Sequence, residues 1–362
     1  MPVSRQIQPG APFFCAHKAH KTNPFIDFIR QYYRSQSASA KYAPPRKKLP
    51  QEIARDLANY PLLVLDGAFG TELARRGFDT NDALWSAKAL FEKPELVEAV
   101  HRDYYEAGAD ISTSASYQAT IEGFEKKGFS RDQAKELITR SVRLVQRARD
   151  AFWRQAATRR DRPQPLVAAS VGPYGAYLAD GSEYRGDYKA SRAELADFHA
   201  ERLALLCTAQ PDLLACETLP LLDEARAILT DLRRHPEAAA WISFSCRDDA
   251  HTCGGDAIAD CARLLDKEPQ VAAIGVNCTA PQHVASLIRQ IREHTSKPIV
   301  VYPNTGETYD AVTKTWHGSP TPYRDFVRAW YTAGARLIGG CCRTTPDDIR
   351  GIAAFRAELQ RG

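Results

Sequence analysis

Short apolar segments recur along this chain, and a longer segment with helical spacing follows each of them. A continuous run of Val, Ile and Leu is typical of a strand that is buried on both faces, as in a parallel sheet. Eight such runs are present. In order they are "LLVLD" (62–66), "DISTSA" (110–115), "LVAASVG" (166–172), "LLACE" (213–217), "AWISFSC" (240–246), "AAIGVNC" (272–278), "PIVVYP" (298–303) and "RLIGG" (336–340).

The segments between the runs carry helix start and stop signals. "PELVEAVHRDYYEAG" begins on Pro94 and ends on Gly108, and "TPDDIRGIAAF" offers Thr345 as an N-cap followed by Pro346. Eight strand-then-helix units in one chain of this length predict an α/β protein with a (β/α)8 TIM barrel. An open, doubly wound sheet is the alternative. The predicted helices cover 94–108, 131–155, 191–209, 222–235, 256–266, 281–294, 322–333 and 346–358.

Charge divides the chain after residue 50. Residues 1–50 contain nine Lys or Arg and one acid, whereas the remainder contains 39 Lys or Arg and 43 acids. The first segment is also rich in Pro, Ser, Ala and Gln, so we expect a basic, flexible N-terminal extension and a single catalytic domain over 51–362. The aromatic stretch "FIDFIRQYY" within the extension could instead form a helix that covers the N-terminal face of the barrel.

Composition limits the class of protein and its compartment. The chain has 362 residues and 44% hydrophobic content, enough for a full core. It has neither an apolar run near the roughly 20 residues of a membrane helix nor a secretory signal. Its nine Cys are odd in number and scattered, which favours reduced thiols or metal ligands over disulfides. We therefore expect a cytoplasmic protein with no membrane and no nucleic-acid partner.

Polar or metal-binding groups stand at the end of six of the eight runs, where the functional residues of a barrel lie. The carboxyl ends of the strands converge on one mouth of a closed barrel, so these side chains are candidates for a common site. The residues concerned are Asp66, Ser114, Glu217, Cys278, Asn304, Cys341 and Cys342.

Three of these residues form a candidate metal site. An isolated CC pair is more often ordinary core, because free Cys is among the most buried residue types. The sixth and eighth strands of a barrel are near neighbours, however, so Cys278 can meet Cys341 and Cys342. Three thiolates leave a fourth tetrahedral position open, as in catalytic rather than structural zinc sites. Gly339 and Gly340 are predicted to let the backbone turn so that both adjacent thiols face one ion.

The chemistry of such a centre favours a thiol substrate. Three thiolates on Zn2+ leave a formal charge of −1, which suits the ion poorly for splitting water. A thiol bound as the fourth ligand loses its proton near neutral pH, although free thiols have a pKa of about 8.5. The bound sulfur stays nucleophilic and attracts a cationic methyl donor such as a sulfonium. A zinc-storage or redox-sensing barrel is the alternative.

The chain resembles the homocysteine S-methyltransferases over about residues 61 to 358. The likeness is greatest to the branch that uses S-methylmethionine. The resemblance implies zinc on Cys278, Cys341 and Cys342, and conversion of L-homocysteine to L-methionine with S-methyl-L-methionine or S-adenosylmethionine as donor. The segments that carry it are "LDGAFGTEL", "LWSAKAL", "HRDYYEAGADISTSASYQAT", "VGPYGAYLADGSEYRGDY", "CETLP", "GVNC", "VYPNTGETYD", "KTWHGS" and "IGGCCRTTP".

The same resemblance implies roles for five further residues. Asp66 and Glu217 match the acids that hold the homocysteine amino group, and a desolvated ammonium group needs such partners. Gly67 and Ser114 would contact the amino acid, although Ser114 stands where some relatives have Thr. Asn304 would either hold the loop beside the metal or touch the ligand.

Other branches of the family differ in what surrounds the barrel. The branch that uses betaine has a long C-terminal arm that builds its oligomer, whereas this chain ends 20 residues after Cys342. We therefore expect a monomer and keep betaine as the alternative donor. The sequence does not assign the residues that bind the donor.

Overall fold

The computed structural model describes residues 49–310, 315–321 and 323–361. Residues 1–48, which make up nearly all of the predicted extension, lie outside the described residues. The aromatic stretch "FIDFIRQYY" is among them, so its predicted role as a cover for the barrel stays a prediction.

Eight parallel strands form a closed barrel. Around the sheet they run in the order β1, β10, β7, β6, β5, β4, β3, β2, and a parallel bridge between Leu65 and Ile111 joins β1 to β2. This closure confirms the TIM barrel and excludes the open sheet. The barrel strands are β1 (Leu63–Val64), β2 (Ile111–Thr113), β3 (Leu166–Val171), β4 (Leu213–Leu219), β5 (Ala240–Phe244), β6 (Val271–Asn277), β7 (Ile299–Tyr302) and β10 (Ala335–Ile338).

Helices follow the strands and cover the outside of the barrel. The eight predicted helices are all present, with ends that differ from the predictions by at most three residues. In chain order the α-helices are α1 (Leu49–Asn59), α2 (Phe69–Arg75), α3 (Ala89–Glu92), α4 (Pro94–Ala107), α5 (Ile121–Lys126), α6 (Arg131–Trp153), α7 (Tyr174–Leu178), α8 (Arg192–Thr208), α9 (Leu222–Leu232), α10 (Ile258–Asp266), α11 (Pro281–Arg292), α12 (Tyr323–Ala333) and α13 (Pro346–Arg361). Within the described residues, no helix combines the length and the apolar character needed to cross a membrane.

Helix α1 was not predicted, and it closes the end of the barrel opposite the strand tips. Its Ile53 is fully buried in the cluster of inward-facing strand side chains that includes Leu63 and Trp241. Only three residues separate α1 from β1, so the helix lies at the N-terminal ends of the strands. A boundary at residue 50 therefore cuts into a helix that contributes to the barrel core.

A short antiparallel hairpin also escaped prediction. Strands β8 (Thr308–Asp310) and β9 (Thr315–His317) pair after β7, in the loop that carries the "NTGETYD" segment. Strands of three residues are too short to show a period-two pattern in the sequence.

Candidate active site

A cavity of about 630 Å³ opens at the carboxyl ends of the strands. Its wall brings together six of the eight residues that the sequence singled out. They are Asp66, Ser114, Glu217, Cys278, Cys341 and Cys342. The other two, Gly67 and Asn304, do not line it.

The three cysteines meet in the lining of this cavity. Cys278 follows β6 directly, with a left-handed backbone at φ 47°, and Cys341 follows β10 by three residues. The Cys278 sulfur lies 2.6 Å from that of Cys341 and 3.8 Å from that of Cys342. A non-glycine residue in this backbone region is strained, and such strain persists where the surrounding structure fixes a functional group.

The two glycines before the cysteine pair are needed for a different reason from the one predicted. Neither Gly339 nor Gly340 has a left-handed backbone. A Cβ atom on Gly339 would lie 2.5 Å from the Cβ of Leu65 and 2.7 Å from the carbonyl oxygen of Asp66. On Gly340 it would lie 2.4 Å from the hydroxyl oxygen of Thr344. The glycines therefore let β10 approach β1 closely, and this approach brings the cysteine pair beside Asp66.

The cysteine cluster fits a metal ion by its donors. The three sulfurs all lie within 4.8 Å of one another, and they are the one His, Cys, Asp or Glu cluster with metal-ligand spacing in the part of the chain that the structure describes. Two thiolates at about 2.3 Å from a tetrahedral ion lie about 3.8 Å apart, which matches Cys278 and Cys342. The pair Cys278 and Cys341 is closer than this spacing. Hydrogen bonds from Cys278 and Cys341 hold the pKa of the Cys342 thiol well below its usual range.

Asp66 faces the cavity from the end of β1. Its Oδ2 accepts hydrogen bonds from the hydroxyl of Ser112 at 2.7 Å and the backbone N–H of Thr113 at 2.8 Å. Burial nevertheless raises the pKa of Asp66 to about 7. Desolvation disfavours the charged form more than these two donors favour it.

Glu217 faces the cavity from within β4, two residues before the strand ends. Its carboxylate accepts a hydrogen bond from the hydroxyl of Ser170. Burial raises the pKa of Glu217 to about 7, and the nearby charge of Asp66 contributes. Neither acid forms an ion pair with a described Lys, Arg or His, so both can accept a cation from a ligand.

Three other predicted residues have packing or structural contacts. The hydroxyl of Ser114 lies 2.7 Å from that of Ser116 and accepts the backbone N–H of Ser170 at 3.1 Å. A Cβ atom on Gly67 would lie 2.9 Å from the ring of Tyr104, so the backbone at Gly67 packs against this ring. Asn304 has a buried Oδ1 without a hydrogen-bond partner in the described residues. Its position beside the hairpin fits the loop role better than direct contact with a ligand in this cavity.

Among the residues of the cavity wall that the sequence analysis did not name are an acid and a tyrosine. Glu183 and Tyr184 lie in the long segment 171–188, which contributed to the resemblance without any role being given to its side chains. The Tyr184 hydroxyl is 3.9 Å from the Cys342 sulfur. An acid beside an aromatic residue in the loop after a barrel strand was the available signal, because such loops build the mouth.

A buried network fastens this segment, the 171–188 loop, to the barrel. Glu224 of α9 is fully buried, and its carboxylate accepts the backbone N–H of Tyr174 at 2.6 Å and the hydroxyl of Tyr188. His199 lies 2.9 Å from the same carboxylate. One side chain thus holds both ends of the loop.

Known proteins are similar to this chain in sequence and in fold. A family model described as homocysteine S-methyltransferase matches residues 63–355. The homocysteine S-methyltransferase YbgG of Bacillus subtilis is 54% identical over 306 residues, which cover 84% of this chain and 97% of the relative. The homocysteine S-methyltransferase of Escherichia coli is 49% identical over 299 residues, or 81% and 94% of the two chains.

A solved structure matches the barrel as well. The metallated form of the homocysteine methyltransferase MmuM from Escherichia coli superimposes with a TM-score of 0.76 and 45% sequence identity. The match covers 84% of this chain and 99% of the other.

Proposed function

Because the chain belongs to the homocysteine S-methyltransferase family, we propose that it transfers a methyl group from S-methyl-L-methionine, or from S-adenosylmethionine, to the sulfur of L-homocysteine, forming L-methionine. The observation that carries this proposal is the shared cavity. Three clustered thiols and two acids without a described cationic partner line it, and the acceptor substrate offers a thiol and an ammonium group.

The two acids would bind the amino group of homocysteine. Asp66 and Glu217 both face the cavity and stay ionised at neutral pH only in part, since burial raises the pKa of each to about 7. An ammonium group placed between them would favour their ionised forms and satisfy the charge of the ligand. Gly67, Ser114 and Asn304 would then act mainly by shaping the walls and loops around this position.

The cysteines would hold the metal that prepares the acceptor. We assign Zn2+ to Cys278, Cys341 and Cys342, where it would lower the pKa of a substrate thiol bound as its fourth ligand. The metallated form of the Escherichia coli relative supports a metal in this family. The methyl–sulfur bond of the donor sulfonium breaks as the new methyl–sulfur bond forms, and the electron pair of the broken bond stays on the donor sulfur. Both products are neutral thioethers, which bind a metal weakly.

Two other functions are less well supported. A zinc-storage or redox-sensing barrel would need the cysteines but gives no reason to bury Asp66 and Glu217 without cations. Betaine as donor would supply a quaternary ammonium in place of a sulfonium, and the assay below compares the two. We further propose a monomer that works in the cytoplasm, where thiols stay reduced.

The test is methionine formation by the purified, zinc-loaded protein. We expect product from homocysteine with S-methylmethionine, loss of activity after treatment with a chelator, and recovery when Zn2+ is returned. Betaine in place of S-methylmethionine should give no methionine. Full activity in a protein shown to be free of metal would contradict the role of the cysteines, and methionine from betaine alone would replace the proposed donor.

A further inference from the structure

One carboxylate in the cavity has no role in binding homocysteine as proposed above. Glu183 lines the wall, and its Oε2 is buried without a hydrogen-bond partner among the described residues. Burial raises the pKa of Glu183 to about 7. A buried acid without a partner costs stability, because its charge loses hydration without compensation. Such a group is retained where a ligand supplies the partner.

The backbone of Glu183 is held in place on two sides. Its carbonyl oxygen accepts the hydroxyl of Ser245 at 3.0 Å. On the other side the loop folds back on itself, since a Cβ on Gly175 would lie 2.6 Å from the backbone nitrogen of Glu183. The 171–188 loop is fastened at both ends through Glu224, as described above. The carboxylate is therefore carried by a fixed backbone and is not the tip of a loose loop.

The charges of the cavity wall leave room for a second cationic substrate. The cavity wall contains two guanidinium groups, and both are already paired. Arg75 pairs with Glu72 at 2.9 Å, and Arg343 pairs with Glu307 at 3.1 Å. Of the acids in the wall, Asp82 is paired with Lys127. The remaining acids, Asp66, Glu217 and Glu183, have no described cation as an ion-pair partner.

We propose that Glu183 binds the positive charge of the methyl donor and that the part of the 171–188 loop around Glu183 and Tyr184 forms the donor subsite. This inference rests on the proposed function, in which the acceptor brings one ammonium group and the donor brings a sulfonium and an ammonium group. Asp66 and Glu217 match the first of these charges. Glu183 is the third acid, and Tyr184 beside it reaches to 3.9 Å from the sulfur of Cys342. A donor on this loop therefore lies next to the cysteine cluster, where methyl transfer takes place.

The charge of the donor changes during the reaction, and Glu183 would respond to that change. Before transfer the sulfonium is positive, and after transfer the same sulfur is a neutral thioether. A carboxylate at the sulfonium would thus bind the donor more strongly than the product. A carboxylate at the donor ammonium would bind both alike, because methionine keeps that group.

The experiment compares ligand affinities of the full-length, zinc-loaded protein by calorimetry. S-methylmethionine is titrated into the wild type, Glu183→Gln and Asp187→Asn. Asp187 is the matched control, since it lies on the same loop, is exposed and pairs with Arg185. Glu183→Gln should weaken S-methylmethionine binding about ten- to a hundred-fold, the range of a hydrogen bond to a charged group. Asp187→Asn should bind as the wild type does.

Two further ligands locate the effect. Homocysteine affinity and zinc content should be unchanged in Glu183→Gln, and its melting temperature should equal or exceed that of the wild type. Methionine has the ammonium group without the sulfonium. If Glu183→Gln weakens methionine binding and S-methylmethionine binding equally, Glu183 contacts the ammonium group. If it weakens only S-methylmethionine binding, Glu183 contacts the sulfonium. Glu183→Asp, which keeps the charge, should lose less affinity than the Gln variant.

Unchanged S-methylmethionine affinity in Glu183→Gln would overturn the inference, as would the absence of any S-methylmethionine binding to the wild type. An equal loss of homocysteine affinity would assign Glu183 to the acceptor site and would also overturn it. The proposed function is judged separately, by whether the wild type forms methionine.

Discussion

At the scale of single residues, buried acids and clustered thiols determine which groups the cavity can bind. Asp66 and Glu217 accept hydrogen bonds from Ser112 and Ser170, but no described cation forms an ion pair with them. The fold thus bears the cost of two desolvated carboxylates at one end of the barrel. This cost is understandable if an ammonium group of the substrate completes the site.

The first prediction concerns these two acids as ligands of homocysteine. Asp66→Asn and Glu217→Gln should each weaken homocysteine binding about ten- to a hundred-fold, because a charge-assisted hydrogen bond contributes roughly 1.5 to 3 kcal/mol. Zinc content should stay at the wild-type level, since neither side chain belongs to the cysteine cluster. The measurement is the dependence of the initial rate on homocysteine concentration. An unchanged dependence in both variants would contradict this binding role and assign the acids a structural one.

The second prediction is a pH dependence of stability. Burial raises the pKa of Asp66 from 3.8 to about 7 in the folded protein, so the folded state binds that proton more tightly than the unfolded state does. The associated stability is fully present below about pH 4 and is lost as the pH rises through 7. Asp66→Asn removes this titration and should gain up to about 4 kcal/mol relative to the wild type between those limits. Melting temperatures of both proteins from pH 4 to pH 8 provide the check. A constant difference across that range would contradict the raised pKa.

Single residues were predictable from sequence where a strand placed them. Cys278, Cys341 and Cys342 follow buried apolar runs directly, so the barrel fixes their position once its strands are identified. Glu183 lies far along the loop that follows β3. The course of this loop depends on Glu224, which belongs to the next strand-then-helix unit. Local sequence does not encode that contact, and the acid was therefore missed.

At the scale of elements, most barrel strands and their helices could be predicted because they are long or strongly apolar. The strand-then-helix unit repeats along the chain, so each apolar run is a separate indication of a barrel strand. Helix α1 was missed because its sequence contains charged residues and adjoins the basic N-terminal extension. The hairpin β8–β9 was missed because its strands have three residues each. Both lie outside the repeated strand-then-helix pattern from which the fold was inferred.

The third prediction separates the tail from helix α1. Deletion of residues 1–48 should leave catalysis and the barrel intact, because all eight barrel strands and every residue assigned to the site lie beyond the cut. Deletion of residues 1–59 should destabilise the protein strongly, since it uncovers the barrel core around Ile53. The point variant Ile53→Ala should cost about 2 to 5 kcal/mol by creating a cavity. Thermal unfolding of the three variants is the measurement.

The Ile53→Ala variant also tests where helix α1 lies relative to the cavity. Ile53→Ala should keep the wild-type affinity for homocysteine, because the helix lies at the opposite end of the strands from the cavity. If deletion of residues 1–48 alone made the protein insoluble or lowered its melting temperature by many degrees, the tail would contribute to the fold, and its description as an extension would be wrong.

The whole molecule places its chemistry at one end of a closed barrel and its structural closure at the other. Strands β1, β4, β6 and β10 carry the acids and thiols to one cavity, while α1 covers the other end. The proposed metal is not needed to complete the core. Loss of the metal should therefore affect the reaction far more than the fold, in contrast to a structural zinc site.

The most direct measurement of this account is methionine formation by Cys278→Ala, Cys341→Ala and Cys342→Ala beside their zinc content. We expect one zinc per chain in the wild type. Each variant should lose zinc and methyl transfer while it keeps the melting behaviour of a folded barrel, because three thiolates are required to hold the ion. Full activity in any one of the three would contradict the metal mechanism, and unfolding of all three would show that the metal is structural.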